Sequence, residues 1–235
     1  MPMPRKGYTF IIICYIIAAF ILPNLLTPLF SNFFRFKPQT VALLIDFFSY
    51  WMLTIIIIVL MRRPLIREFK KLKLKKYLSP KVLAGLLLGF ILLFLGSVAV
   101  RIFLPGASHD SVNQQAVRTL VNIYPIPLFF VTVFYGPLVE EIVFRFILMN
   151  TLKTSNWIKI LTSGILFGLI HVIGTDQLSF VVFYGIIGII YAYIYDLTKN
   201  IWLVISIHAL QNFIAFAGSF LVDWIHYFWL YYLLF

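Results

Sequence analysis

Apolar runs long enough to cross a lipid bilayer recur from one end of this chain to the other. They constrain its fold more than any other feature. Eight such segments stand at about 8–30, 41–61, 82–104, 126–152, 157–174, 178–196, 200–220 and 222–235. A spanning helix needs roughly 20 apolar residues, and most of these runs reach that length, while the last is short enough to lie at the interface instead. Composition agrees. Only 11% of the residues are charged, against roughly 25% in a soluble domain. The expectation is an all-α, polytopic membrane bundle of about eight helices, forming one integral-membrane domain over 1–235 with no separate soluble domain.

A formal charge of +11 would suit a nucleic-acid binder, but its distribution argues otherwise. Between Arg62 and Lys81 the chain carries nine Lys and Arg against Glu68 alone. That pattern reads as a cytoplasmic loop obeying the positive-inside rule, with a capacity to hold anionic headgroups. No nucleic-acid partner is expected. Arg5 and Lys6 place the N-terminus inside, and eight crossings return the C-terminus to the same side. Arg35, Lys37 and Arg118 fall on the outward side and are exceptions to the bias. The first apolar run resembles a signal peptide, but Ala18 and Ala19 are followed by Phe20 rather than a convincing cleavage site, so it reads as a retained helix. The one cysteine, Cys14, cannot form an intramolecular disulfide. Pro105-Gly106 ends the third run, and Ser111 to Asn122 suits a short surface helix before Pro125 and Pro127. Gly85-x-x-x-Gly89 and Gly164-x-x-x-Gly168 are small-residue pairs that permit close helix contact. Asp46, Asp196 and Asp223 read as solvated or capping groups at span ends.

Ionisable groups inside a span are costly and usually mark the working site. The fourth segment carries Glu140, Glu141 and Arg145. Residues four apart on a helix share a face, so Glu141 and Arg145 can pair, although Arg145 could instead snorkel to the interface. Glu140 lies about 140° around the wheel from Arg145 at 100° per residue and is the carboxylate left for chemistry. Pro137, just upstream, would release backbone carbonyls near the pair. Phe167 and His171 are four apart on the fifth segment, as are His208 and Asn212 on the seventh. Counted at about 1.5 Å per residue from the expected cytoplasmic ends, Glu140, His171, His208 and Asn212 lie about 18, 21, 12 and 18 Å deep. These depths suit one polar pocket shared by three helices. A carboxylate with a histidine can take a proton from water, and a second histidine with an amide can stabilise an oxyanion.

Glu140-Glu141-x-x-x-Arg145, Phe167-x-x-x-His171 and His208-x-x-x-Asn212, in that order and each on a predicted span, resemble the CAAX protease and bacteriocin-processing (Abi) family of intramembrane glutamate proteases. The resemblance covers about Gly136 to Asn212, within a protease core of about 120–220. It implies an all-helical site open to the cytoplasm and a peptide or protein substrate, membrane-bound or lipid-modified. It implies that Glu140 activates water with help from His171. His208 and Asn212 would bind the oxyanion, and Glu141 and Arg145 would support the site, with Phe167 as packing. It implies no metal and no other cofactor, and a role in peptide processing, self-immunity or CAAX-like C-terminal processing. Two other readings use the same residues. Glu140, His171 and His208 form the ligand set of a catalytic zinc, though no His-Glu-x-x-His helix is present. A non-catalytic immunity protein or a transporter would use the buried charges for binding.

Overall fold

The computed structural model describes residues 5–72, isolated positions between 80 and 95, 111–175 and 178–234. Among these, helices and short connections account for everything, and there is no strand. Helix α1 runs over 5–34, α2 over Pro38–Lys70, α3 over Val112–Leu120 and α4 over Pro125–Thr151. Helices α5, α6 and α7 follow at Asn156–Val172, Phe180–Thr198 and Ile201–Leu234. Lys6–Phe34, Pro38–Lys70, Pro125–Thr151, Phe180–Thr198 and Ile201–Leu221 are each long and apolar enough to cross a membrane. The 17 residues of α5 rise about 26 Å, a little short of a hydrocarbon core of roughly 30 Å. The polytopic all-α bundle is thus the observed architecture.

Local differences from the sequence reading have physical causes. The seventh and eighth apolar runs are one helix, α7, which continues through residue 222 without a break. The basic stretch after Arg62 begins as helix rather than loop, because α2 extends to Lys70. One face of that extension is held in place. Trp202 Nε1 donates to the Leu65 carbonyl at 2.8 Å, and Asn200 Nδ2 donates to the Glu68 carbonyl at 2.9 Å. Glu68 is itself buried and takes Lys71 Nζ at 2.9 Å. Asp46 lies two turns inside α2, too far from Pro38 to cap it. Asp196 does behave as an end group, meeting Lys199 across the last turn of α6. The expected surface helix is present as α3. Most of 82–104, with its Gly85–Gly89 pair, and Pro105-Gly106 lie outside the described residues.

The chain groups into two compact units. One gathers Met61–Asn113 and Glu140–Ser206. Its centre is the α5–α6 pair, brought to backbone contact by glycines. A Cβ added at Gly164 would stand 2.3 Å from Ile189 Cγ1, and one at Gly168 would stand 2.6 Å from the Val181 carbonyl oxygen. The other unit gathers Pro4–Leu60, Gln114–Val139 and Ile207–Phe235. Its buried core includes Leu43, Leu120, Val121 and Leu128, with Phe216 and Phe220 packed against it.

Candidate active site

Helix α4 is not uniform, and its irregularity decides how its charges stand. It begins at Pro125, where a missing N–H costs nothing. Wide turns with i→i+5 hydrogen bonds occupy Phe130–Tyr135 and Ile142–Leu148, and ordinary helix lies between them at Gly136–Glu141. Such turns are rare and recur at functional sites. Glu140 and Glu141 close the ordinary stretch, and Arg145 lies in the second wide one.

The first unit holds Glu140, Glu141, Arg145, Phe167 and His171. Glu141 and Arg145 are fully buried, and Arg145 Nη1 donates to Glu141 Oε1 at 3.0 Å. The snorkelling alternative is therefore set aside. Arg145 Nη2 donates to the Gly188 carbonyl on α6 at 2.9 Å. Gly188 has no side chain because a Cβ there would lie 2.9 Å from both Gly164 Cα and Phe167 Cβ. Around the guanidinium stand the rings of Phe167, Tyr191 and Phe144, with centroids 4.5, 5.4 and 5.9 Å from Cζ. Cation–π attraction of this kind is worth about 2 kcal/mol when desolvated. The buried charge is thus met by an ion, a backbone dipole and three ring faces.

Glu140, one residue earlier, is only half-buried. His171 is half-buried too, and its ring is fixed from two sides. Its centroid lies 4.5 Å from Phe167 and 4.5 Å from Tyr184, the second at a near-parallel 23°. Its Nδ1–H donates to the Phe167 carbonyl at 2.8 Å. In the neutral ring this leaves the acceptor lone pair on Nε2. Tyr184 is anchored in turn, its hydroxyl 2.7 Å from Ser111 Oγ at the start of α3. Ser163 Oγ donates to the Phe144 carbonyl at 3.1 Å and ties α5 to α4.

His208 and Asn212 belong to the second unit, on α7. His208 is buried and Asn212 half-buried. Asn212 Nδ2 donates to the Thr132 carbonyl at 2.8 Å. That acceptor is open for a reason written in the sequence. Gly136 N–H bonds Val131 O in the wide-turn register, so the next donor, to Thr132 O, would come from residue 137. Residue 137 is proline and has no N–H. Pro137 thus leaves the Thr132 carbonyl open, upstream of the proline rather than at the Glu141–Arg145 pair, and Asn212 takes it.

Sequence reasoning did not pick out Tyr184, Ser111, Tyr191 or Gly188. Gly188 carried a readable signal, since Gly185-x-x-Gly188 is a second small-residue pair facing Gly164 and Gly168. Among the described residues, no group of three or more His, Cys, Asp and Glu side chains stands where it could hold a metal ion.

Residues 122–214, which include the Glu140–Arg145, Phe167–His171 and His208–Asn212 motifs, match the family described as Type II CAAX prenyl endopeptidase Rce1-like. The chain is 27% identical over 217 residues to YdiL of Bacillus subtilis (strain 168), whose name presents it as a candidate membrane peptidase; the match covers 88% of this chain and 87% of YdiL. It is 32% identical over 167 residues to the membrane-embedded CAAX protease MroQ of Staphylococcus aureus (strain USA300), covering 68% of this chain and 66% of MroQ. It is also 28% identical over 194 residues to the UPF0177 protein YvdC of Lactococcus lactis subsp. lactis (strain IL1403), covering 81% and 70%. No solved structure matches the chain.

Proposed function

Because the chain belongs to the Rce1-like CAAX protease family of membrane peptidases, we propose that it is an intramembrane endopeptidase in which Glu140 activates the attacking water. The observation that carries this reading is the contrast within one helical turn. Glu141 is spent on Arg145 in a sealed pair, while Glu140 is half-buried in the same unit as a histidine whose tautomer is set.

In the proposed reaction a water gives its proton to Glu140, and the hydroxide adds to the scissile carbonyl carbon. His171, with its Nε2 lone pair, orients the water. The tetrahedral oxyanion accepts hydrogen bonds from His208 and Asn212. Asn212 Nδ2 carries two hydrogens, one given to Thr132 O and a second on the same nitrogen able to donate. Loss of one such donor typically raises a barrier by about 2.7–4 kcal/mol. The C–N bond then breaks, and the leaving amine takes the proton back from the Glu140 carboxyl, directly or through His171. The substrate class we assign is a membrane-associated peptide or protein chain, cut without a metal ion.

Peptide mass spectrometry on membranes bearing the wild-type chain and Glu140→Gln tests the reading. New peptide termini are expected with the wild type alone, and they should persist after exhaustive chelation in protein lacking stoichiometric zinc. Identical termini in both membranes would overturn the assignment and favour a protein that binds peptides without cutting them. Loss on chelation would favour a zinc enzyme.

A further inference from the structure

The hairpin between α1 and α2 carries a feature that the protease reading does not use. Leu26, Phe30 and Phe34 line one face of α1 and look across at Val41, Leu44 and Phe48 of α2. Between them is an almost wholly apolar hollow of about 320 Å³. From Leu26 to Phe34 the helix rises about 12 Å, most of the depth of one leaflet of a roughly 30 Å core. An apolar hollow at a helix end in a membrane protein is filled most readily by a hydrocarbon chain. Charge specifies the kind of chain. Phe34 and Phe36, both in the lining, flank Arg35, and Lys37 follows.

Both cations are exposed, and neither has an acidic partner among the described residues. Arg35 also holds a left-handed backbone, φ 56°, where glycine or asparagine is the usual choice. The comparable residue Lys199, φ 50°, uses its position to meet Asp196. Arg35 has no such use among the described residues. On the orientation expected from Arg5 and Lys6, topology does not explain the two cations either, since they would be exceptions to the inward bias of basic residues.

We propose that this hairpin binds an anionic phospholipid of the bilayer, with one acyl chain in the hollow and the phosphate at Arg35 and Lys37. A guanidinium offers two parallel N–H donors to phosphate oxygens, and the neighbouring ammonium adds a second charge. The site stands in the second unit and is independent of the reaction assigned to Glu140.

Full-length protein would be placed in phosphatidylcholine nanodiscs containing a phosphatidylglycerol with a photoreactive group late in its acyl chain. Cross-links would be mapped by mass spectrometry. Labelling is expected to concentrate on residues 26–48 and to be displaced by unlabelled phosphatidylglycerol but not by phosphatidylcholine. Arg35→Gln with Lys37→Gln should lower it about 25-fold, since each surface cation contributes on the order of a fivefold preference for anionic lipid. Leu44→Trp, which fills the hollow from an exposed position, should move the label elsewhere while the protein keeps its melting temperature. Labelling spread evenly over the apolar faces, equal displacement by both lipids, or undiminished labelling of the double variant would each overturn the proposal.

Discussion

Two polar neighbourhoods lie side by side on α4, and they are built on opposite principles. Around the Glu141–Arg145 pair the fold supplies partners on several sides: Glu141 meets the guanidinium, and the guanidinium also meets the Gly188 carbonyl and rings from three helices. Around Glu140 and His171 the side chains are half-buried, and the fold fixes the orientation of the imidazole rather than enclosing it. A buried ion pair is weak evidence for stability by itself, but breaking one is expensive. The sealed neighbourhood therefore reads as framework and the half-open one as the place for chemistry. In the proposed mechanism, one step along the helix separates the two roles.

The strongest way to break this contrast is to exchange the effects of the two acids. Glu140→Gln is expected to lower turnover by about 10²–10⁴-fold, the usual worth of a positioned general base, while purified protein melts as the wild type does. Turnover within a few-fold of normal would dissolve the distinction. Glu141→Ala should act on the other axis, costing about 3–5 kcal/mol of stability because Arg145 is left buried without its carboxylate. Unfolding measured in detergent reads this directly, and a wild-type transition would mean the pair is dispensable. Gly188→Ala sharpens the comparison at one remove. Its Cβ would press on Gly164 and Phe167, so a loss of about 1–3 kcal/mol and weakened retention of Arg145 are expected. The smallest effect is assigned to Tyr184→Phe, which keeps the stack on His171 and removes the bond to Ser111. A loss of about 0.5–1.5 kcal/mol, two- to tenfold in kcat with little change in KM, is expected. Tyr184→Leu, which removes the stack as well, should exceed it; equal effects would show that the ring contact contributes nothing.

Much of the framework was legible before any coordinates. The spacing of Glu141 and Arg145 allowed an intrahelical pair, and Gly164 with Gly168 pointed to a close helix contact, because both signals depend only on the period of a helix. The remainder depended on information that does not lie along one helix. Tyr184 is one of 13 tyrosines, and nothing local says that it stacks on His171. The wide turns of α4 leave no composition signal, although they alter the facing of every residue beyond Tyr135. Pro137 announced an open carbonyl, but which one, and that Asn212 would meet it, followed only from the register of the turn before it. The merging of the last two apolar runs into α7 was hidden for a simpler reason: hydropathy measures length and says nothing about continuity.

The position of Arg145's counter-ion on its own helix also bears on how the protein is made. An arginine entering the bilayer alone at the middle of a helix costs about 2.5–3.5 kcal/mol on insertion scales. Here the carboxylate that answers it is four residues earlier, so neutralisation comes with the first local turn to close, before α5 and α6 have been synthesised. Nascent α4 can leave the insertion machinery with the arginine charge already met. The contacts to Gly188 and Tyr191, encoded some 40 residues downstream, are then free to form late, as a latch on an element already in place.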